Sequence, residues 1–274
     1  MILIYILVAL IAICCLLLLA MKPNRKRSLS ILSKKLYAHR GVHDNQGGYP
    51  ENSLGAFKKA VDLNYGIELD VHLSKDKVPI VFHDETLLRA CNIDRNISDF
   101  TLEELEDIKL FKSKQVVPRL QEVLDLVHGK VPLIVELKNE STNIDDLPII
   151  ANVLDNYTGD YVIESFNPLV LSWYKKNRPH VIRGQLSTKI KTSKDASILV
   201  KFRDFLLENF LLNFLSKPDF LAFNYKYKGK LGFRLCKSFY RPLTAAFTIK
   251  NQKALEQNLK DFHIFIFDNF IPKK

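Results

Sequence analysis

Glu68 and Asp70 stand two residues apart in the β-forming run IELDVHL, and His72 follows two further on. Side chains on a strand alternate between faces, so all three share one face. Two carboxylates held that close repel and raise each other's proton affinity unless a cation lies between them. A hard divalent ion, Mg2+ or Ca2+, is the economical partner, because such ions select oxygen ligands. Glu136, near the end of VPLIVELK, supplies a third carboxylate from another run. His39 and His83 close two further runs, and a histidine pair suits proton removal and proton delivery near neutral pH. Arg40 and Lys138 add fixed positive charge for an anionic group. Metal, two acid-base groups and two cations together fit phosphoryl chemistry. His43, His128, His180 and His263 read instead as hydrogen-bonded structural residues.

Such a set needs a scaffold that brings distant residues to one place. Nine β-rich runs alternate with helical patterns such as ENSLGAFKKAVDLN, PRLQEVLDLVHG, NPLVLSWYKKN and NQKALEQNLKD. This alternation predicts parallel strands joined by right-handed crossovers. About eight strand-helix pairs in a chain of 274 residues predict an α/β fold, a (β/α)8 TIM barrel, over residues 36–274. No glycine-rich phosphate loop follows any strand, which argues against a nucleotide-binding doubly wound sheet. His39, Arg40, His83, Glu136, Lys138, Ser165 and Gln185 all fall toward the C-terminal ends of predicted strands, where barrel sites form.

Residues 1–21 carry no charged side chain and come close to the length of a membrane-spanning helix. A cleaved signal peptide needs a basic start and a small-x-small site, and neither is present, so the reading is one uncleaved anchor. Lys22, Arg25, Lys26 and Arg27 open a basic linker over residues 22–35 and place the following domain in the cytoplasm. Four cysteines lack metal or disulfide spacing and read as free thiols of a reducing compartment. The sequons at Asn96, Asn139 and Asn156 are then of no consequence. The net charge of +10 suits anionic lipid or substrate, and no nucleic-acid-binding signature accompanies it. Residues 197–216 hold more Leu and Phe than a core-facing stripe requires; they read as one helix with either a broad buried face or an interfacial one.

HRG at 39–41, PENS at 50–53, ELDVHLSKD at 68–76, FHD at 82–84 and ELK at 136–138 resemble, in order and spacing, the glycerophosphodiester phosphodiesterase family. The resemblance implies a barrel that holds Mg2+ or Ca2+ through Glu68, Asp70 and Glu136, with His39 and His83 as acid and base. It implies that Arg40 and Lys138 grip phosphate and that Glu51 lies at the site mouth, either bracing the HRG loop or touching metal or substrate. Asn52 reads as a helix-start cap. The implied reaction hydrolyses a glycerophosphodiester to glycerol 3-phosphate and an alcohol. The last third departs from the pattern: Phe247 in FTIKN stands where relatives carry a tryptophan, and is expected as an aromatic wall for substrate. Two alternatives keep the same site: a lysophospholipase D, and an inactive phosphodiester-binding membrane module.

Overall fold

The computed structural model describes residues 1–24, 32, 36–139 and 141–273, so most of the expected linker lies outside the described residues. A first helix, α1 (Ile2–Met21), precedes strand β1 (Leu36–His39), helix α2 (Leu54–Asp62) and β2 (Gly66–Leu73). An excursion follows, with β3 (Pro79–Val81), α3 (Leu88–Cys91), α4 (Leu102–Glu106) and α5 (Leu120–Val127). The chain then alternates through β4 (Leu133–Leu137), α6 (Leu147–Asp155), β5 (Tyr161–Ser165), α7 (Pro168–Asn177) and β6 (Arg183–Ser187). Two helices, α8 (Ile198–Glu208) and α9 (Asn213–Ser216), lead to β7 (Phe220–Asn224), α10 (Leu231–Tyr240), β8 (Leu243–Ile249), α11 (Gln252–Asn258) and β9 (Ile264–Phe267).

Eight strands pair in parallel in the order β1-β2-β4-β5-β6-β7-β8-β9, and β9 returns to β1, closing the expected TIM barrel. The exception is β3, which runs antiparallel on β2 with Val71 opposite Val81. VPIVFH thus forms no barrel strand. Parallel pairing needs a crossover of about a dozen residues, and the link over 74–78 is too short, so the chain turns back through Lys77 at φ 64.

Alternation along the strands builds two apolar layers. Ala38, Leu69, Val135, Ile163 and Phe223 face outward and meet the helices. Tyr37, Ile134, Val162, Phe220 and Ile266 face inward and fill the barrel with Leu32. Gly184 leaves the Phe220 ring its place in that filling, since a Cβ there would overlap the ring. Helix α5 shows the ordinary covering pattern: Leu120, Val123, Leu124 and Val127 are buried at helical spacing. Each such burial contributes about 1.5–3 kcal/mol. A smaller cluster of Ile80, Phe82, Leu87, Leu105 and Val117 stiffens the excursion that carries His83.

Two local expectations need correction. Ser53, not Asn52, caps α2, accepting from the Ala56 N–H; Asn52 sits at φ 57 and its side chain is used elsewhere. Residues 197–216 are not one helix. Phe210 leaves helical geometry at φ 60 and buries its ring against Phe223 and Phe233, with centroids 5.6 and 6.2 Å away.

Helix α1 runs unbroken for 20 residues, about 30 Å at 1.5 Å per residue, and is apolar throughout. Its last turn is built into the barrel. Asn213 Nδ2 donates to the Met21 carbonyl at 2.9 Å and Tyr240 Oη to the Leu18 carbonyl at 2.6 Å, pairing groups that a helix end leaves unsatisfied.

Candidate active site

The strand register assembles the site. His39 lies beside Glu68 on neighbouring strands, Asp70 beside Glu136, and Glu136 beside Glu164. His39, Glu136 and Glu164 sit at or next to the C-terminal ends of β1, β4 and β5, and Glu68 and Asp70 lie level with them in the longer β2. Glu68, Asp70 and Glu136 are buried and each offers an oxygen within 4.8 Å of the others. The proposed metal ligands are therefore brought together by three separate strand positions.

The cations stand against this acidic cluster. Lys138 Nζ lies 2.7 Å from Glu136 Oε1 and 2.9 Å from Asp70 Oδ1. Arg40 Nε is 3.2 Å from Asp70 Oδ2, and its Nη1 is 2.6 Å from Glu51 Oε1. Arg40 adopts φ 57, a strained backbone for a side-chain-bearing residue. Its N–H donates to the Glu68 carbonyl at 2.8 Å and its carbonyl accepts from Asn52 at 3.0 Å, which holds the turn. Gly41 must be glycine: φ is 83 and a Cβ would lie 2.8 Å from the Ala56 backbone.

Burial pushes the Glu68 carboxyl well up, and repulsion from Asp70 and Glu136 adds to it. Glu136 is raised mainly by burial, with Lys138 opposing. Asp70 behaves differently: burial would raise it, but Lys138 and Arg40 outweigh that and hold it well below the usual carboxylate range. Glu164 is buried, raised by burial and then by Glu136, and its Oε2 has no hydrogen-bond partner among the described residues.

The two histidines have different settings. His39 is pushed down by burial, partly offset by Asp268, whose Oδ1 lies 3.7 Å from its Nδ1. The same Asp268 oxygen is 2.8 Å from His43 Nε2. His83 stands on the excursion after β3, with Nδ1 2.6 Å from Asp84 Oδ1. Arg89 bridges that arm to the mouth, contacting Asp84 at 2.7 Å and Glu51 at 2.7 Å. Burial would raise Glu51, but Arg89, Arg40 and Asn45 draw it down to about 2. His72, lowered to about 4 by burial, bonds the His83 carbonyl at 3.2 Å.

A cleft of roughly 790 Å³ opens over these groups, with His72, His83, Glu136, Lys138, Phe166 and Asn167 in its walls. Phe247 is half-buried at the barrel mouth and meets Phe166 edge to face at 6.2 Å. Ser165 lines this cleft too, but its hydroxyl, like the amide of Gln185, is engaged by backbone. Ser165 Oγ donates to the Leu137 carbonyl and Gln185 Nε2 to the Ser165 carbonyl, as ties between strands. The inward position on β5 belongs to Glu164, one residue earlier. Asp84, Arg89, Asp268 and Glu164 are additions to the residues singled out from sequence; Asp84 sits in the FHD motif and Asp268 ends the last β-rich run, but their partners emerge only in three dimensions.

The chain is similar to known proteins. A glycerophosphodiester phosphodiesterase of Caldanaerobacter subterraneus subsp. tengcongensis is 38% identical over 160 residues, covering 54% of this chain and 65% of the relative. One of Bacillus altitudinis is 35% identical over 162 residues, covering 54% and 64%. The chain thus spans just under two thirds of each relative's length. Among solved structures, an Oleispira antarctica phosphodiesterase in complex with the product sn-glycerol-3-phosphate superposes with a TM-score of 0.65 at 23% identity, over 85% of this chain and 92% of that one, and shares the fold. The profile of the Glycerophosphoryl diester phosphodiesterase family matches residues 39–239, most of the barrel, and the chain belongs to that family.

Proposed function

We propose that the chain hydrolyses glycerophosphodiesters to glycerol 3-phosphate and an alcohol, using Mg2+ or Ca2+ held by Glu68, Asp70 and Glu136, at a membrane surface in lipid and glycerol metabolism. One observation carries this reading: three buried carboxylates with oxygens within 4.8 Å of one another, set between two histidines at the barrel mouth. The residues fit a hard cation. The donors are all oxygens, and burial, with like charge beside it, raises Glu68 and Glu136, an imbalance that a divalent ion would relieve. When bound, such an ion supplies Lewis-acid polarisation of a phosphoryl oxygen.

The chain's own residues do the rest. Arg40 and Lys138 present fixed positive charge to the phosphate. His39, kept neutral by burial, takes a proton from the attacking oxygen, either that of water or that of the neighbouring glycerol hydroxyl, whose cyclic phosphodiester water then opens. His83, its ring fixed through Nδ1 by Asp84, delivers a proton from its other nitrogen to the departing alkoxide. Asp268 steadies His39 and His43 together. Glu51, tied to Arg40 and Arg89, braces the mouth. Helix α1 attaches the barrel to the bilayer, with the barrel on the cytoplasmic side.

A second reading keeps the site and changes the substrate. The Phe166–Phe247 pair gives the mouth an aromatic wall, which suits the apolar part of a lysophospholipid. A lysophospholipase D of Homo sapiens is 39% identical over 83 residues, covering 30% of this chain and 25% of that protein. Turnover of glycerophosphocholine, glycerophosphoglycerol and lysophosphatidylcholine, each with and without chelator, separates the readings. Release of glycerol 3-phosphate from the small diesters, abolished by chelator and restored by Mg2+ or Ca2+, is expected. Turnover that survives chelation would remove the metal from the mechanism, and lack of turnover on every diester would point to a binding module.

A further inference from the structure

Among the described residues, exposed large apolar side chains gather most densely on one sector of the barrel's outside. Helix α8 exposes Ile198, Leu199, Phe202 and Phe205, which are 78, 76, 59 and 55% accessible. Their spacing puts them along one stripe of the helix. Among the residues of α8 only Asp204 is fully buried and Leu206 packs partly against the core, so the four exposed side chains stand away from the barrel, whereas α5 buries its stripe. Phe214 on α9 and Leu231 and Phe239 on α10 continue the exposed surface across the connections on either side of β7.

The same sector is strongly basic. Residues 189–241 hold twelve basic and four acidic side chains. With those and the four basic side chains of residues 1–28 set aside, the rest of the chain carries two more acidic than basic groups. Lys228, Arg234, Lys237 and Arg241 line one cleft beside α10, where Asp261 pairs with Lys228 and Lys237 and leaves a net positive charge. Helix α1 ends here too: Asn213 of α9, Lys217 and Tyr240 of α10 hold the carbonyls of Met21, Lys22 and Leu18.

We propose that this sector, formed by α8, α9 and α10, is a docking face for an anionic lipid bilayer, so that the barrel lies on its side against the membrane that α1 enters. Apolar side chains interleaved with lysines and arginines match the interfacial region, where hydrocarbon and anionic head groups meet within a few ångströms. The positive charge argues against a second copy as the occupant, because an isologous pairing would bring like-charged faces together. Helix α8 follows the β6 strand end, on the side of the barrel where the catalytic mouth opens, so docking would bring that rim close to the lipid. The inference rests on the reading of α1 as a membrane span.

The test uses the full chain in lipid nanodiscs. The single tryptophan is replaced, Trp173→Phe, and a new one introduced at Phe202→Trp or, on the far side of the barrel, at exposed Gln121→Trp on α5. Co-elution with the discs reports the span; quenching by lipids brominated on their acyl chains reports docking. In discs containing phosphatidylglycerol the Phe202→Trp emission is expected to fall by about half, less in purely zwitterionic discs, while Gln121→Trp emission stays unchanged. Absence of quenching at Phe202→Trp in co-eluting protein would overturn the docking face and leave the span standing. Shielding of that tryptophan only in discs carrying two copies would overturn it in favour of self-association.

Discussion

Two regions of this barrel break the usual distribution of polarity, in opposite senses. At the mouth, between β1 and β5, four carboxylates are buried inside; between β6 and β8, large apolar side chains stand outside. Neither arrangement favours the isolated fold. Buried like charges repel and lose hydration, and exposed Phe and Leu forgo the stabilisation that α5 obtains by burying its stripe. On the proposed reading, each departure marks a place where something else completes the structure: cation and phosphate at the mouth, lipid on the flank.

The mouth should respond to substitution in activity far more than in stability. His39→Ala and His83→Ala are each expected to lower kcat by about 100- to 10,000-fold on a small glycerophosphodiester, with an unchanged thermal transition, because neither ring belongs to an apolar cluster. Near-normal turnover in both variants would erase the contrast between regions by removing the mouth's chemical purpose. The covering helices should behave oppositely. Leu124→Ala on α5 removes a side chain that is 2% exposed and is expected to cost about 2–5 kcal/mol in denaturant unfolding, with kcat of the folded fraction retained.

Glu51 joins the two behaviours, since it braces the mouth through charge. Its carboxyl lies at about 2 against an ordinary 4.5. A carboxylate lowered on folding stabilises above its unfolded value and loses that contribution as pH falls from 4.5 through 2. Glu51→Gln is expected to destabilise the protein by about 2–3 kcal/mol at pH 7, and to flatten the acid limb of the stability profile below pH 4.5. An acid limb identical to that of the unsubstituted chain would show that Arg40 and Arg89 do not hold Glu51 as drawn.

The barrel and the clustering of the carboxylates were legible in the sequence because both depend on short-range rules. Period-two spacing put Glu68 and Asp70 on one face, and the alternation of strands and helices dictated parallel pairing. What lay beyond reach depended on long-range register and on local backbone breaks. Ser165 and Glu164 are adjacent on β5, and which faces the barrel follows from the pairing of Glu136 with Glu164, not from residue type. Asp268 reaches His43 across 225 residues of chain. The break at Phe210 has no glycine or proline to announce it; burial of the ring beside Phe223 enforces it. FHD was readable as chemistry but not as architecture, since a link too short for a crossover turned its strand into a hairpin.

The smallest expected effect is the most direct test of the flank. Phe202→Ser removes an aromatic ring from a helix, a change that in a core costs about 3–5 kcal/mol. At 59% exposure the ring has little burial to lose, so unfolding of the protein in detergent-free anionic nanodiscs and in mild detergent should diverge. In detergent the change should stay within about 0.5 kcal/mol, as for other surface substitutions. In anionic nanodiscs the loss should be larger, because there the ring exchanges lipid contact for water. A core-sized loss in both media would mean that α8 packs its stripe against the protein itself, and the outward-facing flank would then be an ordinary barrel wall. Equal and negligible losses in both would leave the stripe exposed but unused, and the comparison with the mouth would lose its second term.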